Sequence, residues 1–120
     1  MSAANSGAAA MNANTLAPKA IGVLSLEVSG PHLLRDERVI AELAQRRGYT
    51  LAGLVTIGED TFMPTTLIVG TARGKGAAAV IAPGMAHFSC RVRAIALACD
   101  LITPTKFVAC TSTDRLRETS

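Results

Sequence analysis

Several residues with chemically useful side chains follow the apolar runs of this chain. Ser25, Glu27, Ser29 and His32 come at or just after the first run, Ala20–Gly30. Glu59 and Asp60 follow the second, Gly84 and His87 the third, and Thr111, Ser112 and Asp114 a fourth. Carboxylates and an imidazole are the groups of a hard-metal or acid–base site, so Glu27, Glu59, Asp60 and His87 are the set to consider. They sit in separate segments and no spacing fixes their geometry, so solvated loop-end charges are the expectation. A serine nucleophile at Ser25 or Ser29 requires a base and oxyanion donors. His87 is the one reasonable base, and no GxSxG elbow is present. The expectation is therefore no catalytic residue, no cofactor-binding residue, no metal ligand and no cofactor.

Two other groups of residues invite chemistry and lack its pattern. Thr71–Gly76, TARGKG, has the look of a phosphate loop. It lacks the Lys-Ser/Thr ending of a Walker sequence, and it precedes an apolar run where a phosphate loop opens a helix. Cys90, Cys99 and Cys110 are widely spaced, with no CxxC pair. They read as buried reduced thiols, not as a metal cluster.

The elements that must position these residues follow from the apolar pattern. The strongest stretch is AIGVLSLEVSG, Ala20–Gly30, which breaks at Pro31. It reads as a buried strand over about 20–28 turning into a helix. Residues 32–47 carry Leu33, Leu34, Val39, Ile40, Leu43 and Ala44 at helical spacing. Asp36 and Glu37 lie near the start, Arg46 and Arg47 at the end, and Gly48 follows. That order suits the helix dipole and a glycine C-cap. A second strand is expected at 50–57 and a third at 77–82, the latter continuous and apolar as in a parallel strand covered on both faces. Between them, residues 64–73 are rich in β-branched side chains, which favour a strand. A parallel connection requires a crossover there, so a helix is expected. Residues 90–101 read as a helix with Ser89 as N-cap, and 106–110 as a last strand.

Together these give a three-layer α/β domain. Its mostly parallel four-stranded sheet is flanked by helices, with the first and third strands in the middle. The domain spans 19–111, between a flexible tail at 1–18 and a polar tail at 112–120. The hydrophobic fraction of 49% suffices for a core. With 3% aromatics and no tryptophan, a base-stacking platform is not expected, and Tyr49, Phe62, Phe88 and Phe107 read as core or rim. A net charge of +3 is mild, and the Arg and Lys residues are dispersed along the chain, so nucleic-acid contact is a secondary reading. No apolar run is long enough for a membrane span and no signal peptide opens the chain, so the cytoplasm is the expected location and no membrane partner is expected.

The strand Ala20–Val28, the helix after it, and the strand and loop at Val80–Phe88 resemble the catalytic domain of serine recombinases, the resolvase/invertase family. Those domains open with a strand reading roughly IGYARVST and carry a later strand and loop reading roughly VVxxLDRLxR. The likeness covers about residues 19–101 and rests on Ile21-Gly22 and on element order. It implies a resolvase-like fold, close in kind to a flavodoxin-like one. In the family a serine attacks a DNA phosphodiester and arginines stabilise its charge. Here the first-strand arginine falls on Ser25 and the nucleophile on Glu27. The later aspartate falls on Gly84, the arginine after it on Met85, and the last arginine near Phe88. Ser29 stands two positions late, about 7 Å along a strand. The resemblance thus implies the fold without recombination, and too few residues follow 101 for the family's long helix and DNA-binding domain. The expected function is a non-catalytic domain acting through self-association or a protein partner. Alternatives are nucleic-acid association through the dispersed arginines, and a small ligand-binding domain or enzyme at the loop ends. The expected contact is the 90–101 helix, whose Leu97 and Leu101 widen its apolar stripe beyond what one sheet covers.

Overall fold

The computed structural model describes residues 17–111. In chain order the elements are β1 (Lys19–Ser25), α1 (Leu26–Ser29), α2 (Leu33–Arg46), β2 (Thr50–Ile57), α3 (Pro64–Lys75), β3 (Ala77–Ile81), α4 (Val92–Ala96), β4 (Asp100–Ile102) and β5 (Phe107–Val108). The sheet order is β2-β1-β3-β4-β5. β1 to β4 are parallel, and β5 returns antiparallel to β4.

Helices cover both faces. Ile40, Leu43 and Ala44 of α2 pack with Ala20, Leu24, Ala79, Ile81 and Ile102 on one face. Ile68 and Ala72 of α3 and Ile95 and Ala96 of α4 pack with Ile21, Val23, Val55, Val80 and Leu101 on the other. Gly22 lets α2 lie this close. A Cβ there would stand 2.8 Å from Ile40 Cγ2 and 2.7 Å from Leu54 Cδ1.

The α2 helix forms as its sequence dictates, with Asp36 in the first turn, Arg46 in the last, and Gly48 at φ +78° just past the end. The α3 helix forms against its β-branched composition. Pro64 opens it, and Gly76 closes it in the left-handed region at φ +68°. Complete burial of Ile68 contributes about 2 kcal/mol, which offsets the few tenths of a kcal/mol that each of the five β-branched residues costs in a helix.

Four expectations need correction. The first strand ends at Ser25, not near 28, because Ser25 is the last residue paired with β2 and Leu26–Ser29 turns helical. Residues 90–101 are not one helix. A 3₁₀ turn at Ser89–Arg91 leads into the five-residue α4, and Asp100–Ile102 is a strand beside β3. Leu101 and Ile102 go to opposite faces of the sheet, a two-residue period too short to be seen against the helical stripe before it. Ser89 is not a cap: it has φ +55° and its side chain makes no capping bond. The sheet therefore has five strands, not four. Its last member is Phe107–Val108 alone, turned back by the Thr103–Lys106 reverse turn, in which Thr103 N–H donates to the Lys106 carbonyl at 2.9 Å.

Smaller corrections concern single side chains. TARGKG is the last helical turn of α3 with its capping glycine. Phe88 is fully buried, but Phe62 is 84% exposed. Cys99 is buried, whereas Cys90 is exposed and Cys110 is half-buried; none forms a disulfide. Residues 1–16 and 112–120, read as tails, lie outside the described residues. Among the described residues no helix is long and apolar enough to cross a membrane.

Candidate functional site: the cleft at the carboxyl ends of β1, β2 and β3

Because α2 and α3 lie on opposite faces, the chain reverses its direction across the sheet between β1 and β3. In doubly wound sheets ligands bind at such a switch point, beyond the strand carboxyl ends. A small cleft of about 120 Å³ opens there. Ser25, Glu27, Gly58, His87, Ser89 and Arg91 are among the residues that line it.

Behind the cleft lies a buried polar cluster. Ser25 ends β1, and its main-chain N–H donates to Nδ1 of His87 at 2.9 Å. His87 closes the 3₁₀ turn Met85–His87 that follows β3, and it is 3% exposed. An accepting Nδ1 carries no proton, so the neutral ring holds its hydrogen on Nε2. Nε2 faces Asp36 Oδ2 at 3.9 Å, too far for a hydrogen bond. The same Oδ2 accepts the hydroxyl of Ser29 at 2.7 Å. Arg35 Nε lies 3.8 Å from Oδ1. Burial pushes the His87 pKa down, and the Asp36 charge pulls against that without reversing it.

The chemistry of this cluster is limited by its hydrogen bonds. His87 has no open lone pair, since Nδ1 is taken and Nε2 is protonated, so the ring offers a donor and no acceptor. Neither serine hydroxyl can pass it a proton in this state. The Ser29 hydroxyl is committed to Asp36. The cluster ties the end of β1, the loop after β3 and the start of α2 to one another.

Of the residues nominated from the sequence, Ser25, Glu27 and His87 meet at the cleft, and Ser29 lies behind it. Gly84 begins the turn that carries His87. His32 is exposed in the 3₁₀ turn before α2. Glu59 and Asp60 are exposed after β2, in a turn held by Gly58 N–H donating to Thr61 Oγ1 at 2.8 Å. Among the described residues no group of three His, Cys, Asp or Glu side chains is placed to hold a metal. Thr111 is elsewhere: β5 is antiparallel, so its carboxyl end points away from the cleft, and Thr111 N–H donates to the Ala96 carbonyl at 2.8 Å. Ser112 and Asp114 lie outside the described residues.

Asp36 was missed as a cluster member, although the sequence carried a signal for it. It stands on the same stripe as Leu33, Ile40 and Leu43, where a carboxylate must find partners inside the fold. Arg91 and Ser89 carried no such signal, because the turn that brings them to the cleft has no periodic pattern.

A second, more apolar groove of about 600 Å³ runs between α4 and β5, lined by Val92, Arg93, Ala94, Ala96, Leu97, Val108 and Thr111. Leu97 is 60% exposed there. Leu101, read from sequence as part of the same surface, is fully buried in β4. Comparison of the chain with known protein families, with curated proteins and with solved structures finds no match.

Proposed function

We propose that this chain is a non-catalytic α/β domain, resolvase-like or flavodoxin-like in framework, that works by pairing with a second copy of itself. The carrying observation is the groove between α4 and β5, where Leu97 stands open beside Val92, Ala96 and Val108. The groove adjoins the outer edge of β5, the last strand of the sheet. An edge strand with unpaired main-chain groups next to an apolar groove suits an isologous contact. Two β5 strands pair antiparallel about a two-fold axis, and each Leu97 enters the other copy's groove. Arg93 at the rim adds selectivity more than affinity.

The framework reading is supported by the strand order β2-β1-β3-β4-β5, the order of flavodoxin-type sheets. The non-catalytic reading is supported by Glu27 standing where the resemblance wants a serine, and by a His87 ring with no free acceptor. Sedimentation equilibrium at low micromolar concentration tests the association. The expected result is a wild-type dimer and a folded Leu97→Glu monomer. A monomeric wild type, or a Leu97→Glu variant that still dimerises, overturns it.

A further inference from the structure

The topology gathers cations that the sequence scatters. Strand starts and helix ends meet at the amino-terminal end of a parallel sheet. Lys19 begins β1 and is paired with Thr50 of β2 on one side and Ala77 of β3 on the other. The α2 helix delivers Arg46 and Arg47 just before Thr50, and α3 delivers Arg73 and Lys75 just before Ala77. Neighbouring strands are about 4.8 Å apart, so the three starts form one narrow rim. All five side chains are exposed. Among the described residues none of the five enters an ion pair or a side-chain hydrogen bond.

The acidic groups lie mostly at the other end. Glu27, Asp36, Glu37, Glu59 and Asp60 sit after β1, at the start of α2 or after β2. Near the rim stand Asp100, whose Oδ1 already accepts the Cys110 N–H at 2.7 Å, and Glu42, one turn before Arg46. Arg35, Arg38, Arg91 and Lys106 also lie towards that other end, so it is close to neutral, whereas the strand starts carry a net positive charge.

We infer that this rim binds the phosphate backbone of a double-stranded nucleic acid. Three of the five cations are arginines, whose fork matches phosphate oxygens. Single strands call for exposed rings to stack on, and the rim has only Tyr49, which is half-buried. A bilayer surface calls for apolar side chains to insert. Leu26, Val28, Phe62 and Met63 are exposed, but they follow β1 and β2 at the opposite end; of the exposed large apolar side chains described, only Leu51 and, before β4 two strands away from β1, Leu97 stand towards the strand starts. The contact is to backbone and independent of sequence, because among the described residues no helix or ribbon projects from the rim into a groove. It is also at the opposite end of the sheet from the cleft, where Glu27 repels a phosphate.

Anisotropy of a labelled duplex of about 20 base pairs, measured with the full chain over a range of KCl, tests this. Five neutralised phosphates give a slope of log affinity against log salt of about −4.5. Arg46→Ala with Arg47→Ala, or Arg73→Ala with Lys75→Ala, is expected to flatten the slope by about 2 in each case. Arg38→Ala with Lys106→Ala, both exposed and remote from the strand starts, leaves it unchanged. The same slopes are expected in Leu97→Glu, which separates this site from self-association. DNA and RNA duplexes bind alike if phosphate alone is read. Absence of binding at low salt, a slope insensitive to the rim variants, a preference for the single strand, or tighter binding to phosphatidylserine vesicles than to duplex overturns the inference.

Discussion

Ser25 and His87, 62 residues apart in sequence, are joined by a buried hydrogen bond from the Ser25 main-chain N–H to Nδ1 of the ring. The bond holds only while Nδ1 is unprotonated, because a charged imidazole has two donors and no acceptor. Folding therefore selects the neutral ring, in agreement with the direction in which burial moves its pKa.

Acid sensitivity follows from that selection. The folded-state pKa of His87 lies below its ordinary value of 6.5. Between the two values the unfolded chain binds more protons, so stability rises with pH and is lost on acidification. The His87 contribution is fully present above the unfolded pKa and is lost as pH drops through the folded one. Urea midpoints across this range are expected to fall on acidification. His87→Asn places an amide oxygen where Nδ1 was and removes that part of the fall. An unchanged pH dependence in the variant counts against the assignment.

The Ser29 hydroxyl is the one hydrogen-bond donor to Asp36 Oδ2 among the described residues. Ser29→Ala leaves a buried carboxylate short of a partner, at a cost of about 1–3 kcal/mol. Removing both members, with Ser29→Ala and Asp36→Leu, is expected to cost less than the two single changes together. A double-mutant cycle by denaturant unfolding measures the coupling, and additivity would refute it.

Gly22 sets the distance between α2 and the sheet. Leu54 Cδ1 is the end of an exposed side chain and can move away from an added methyl group. Ile40 Cγ2 cannot, since Ile40 is fully buried on α2 and branches at Cβ. Gly22→Ala is expected to lower stability by about 1–3 kcal/mol through displacement of α2. Gly53→Ala meets only the Lys75 stem, at 3.3 Å, and is expected to cost less.

The elements that sequence reveals here are those with a period and a cap. The 33–46 helix shows both, and β1, β2 and β3 show long apolar runs between turn residues. Helix 64–75 was legible only through the demand for a crossover, against its local propensity. From Ser89 to Val108 each element is two to five residues long, too short for periodicity to mark. The cleft inherits the same division. Ser25, Glu27 and His87 follow from the rule that sites lie at strand ends, whereas Arg91 depends on a turn that only tertiary packing defines. Asp36 was readable as a carboxylate on a buried stripe, but its partner Ser29 required the helical turn at Leu26–Ser29. Charge polarity was invisible along the chain because it arises from parallel strands aligning their starts.

Thiol chemistry reports on the carboxyl-terminal part of the domain, where elements are shortest. Cys90 is exposed in the 3₁₀ turn before α4, and Cys99 is buried between α4 and β4. Burial pushes the Cys99 pKa up, the Cys110 and Asp100 charges add to that, and Arg73 opposes it. A raised pKa lowers the thiolate fraction, and burial blocks the reagent, so both effects slow the same sulfur. With an aromatic disulfide reagent at neutral pH, Cys90 is expected to react at once. Cys99 reacts only when α4 lifts from β4, at a rate set by that local opening. Cys90→Ser should remove the fast phase, and Cys99→Ser the slowest one. If Cys99 reacts as fast as Cys90 in native buffer, then α4 and β4 are not packed as described, and the groove beside Leu97 loses its wall.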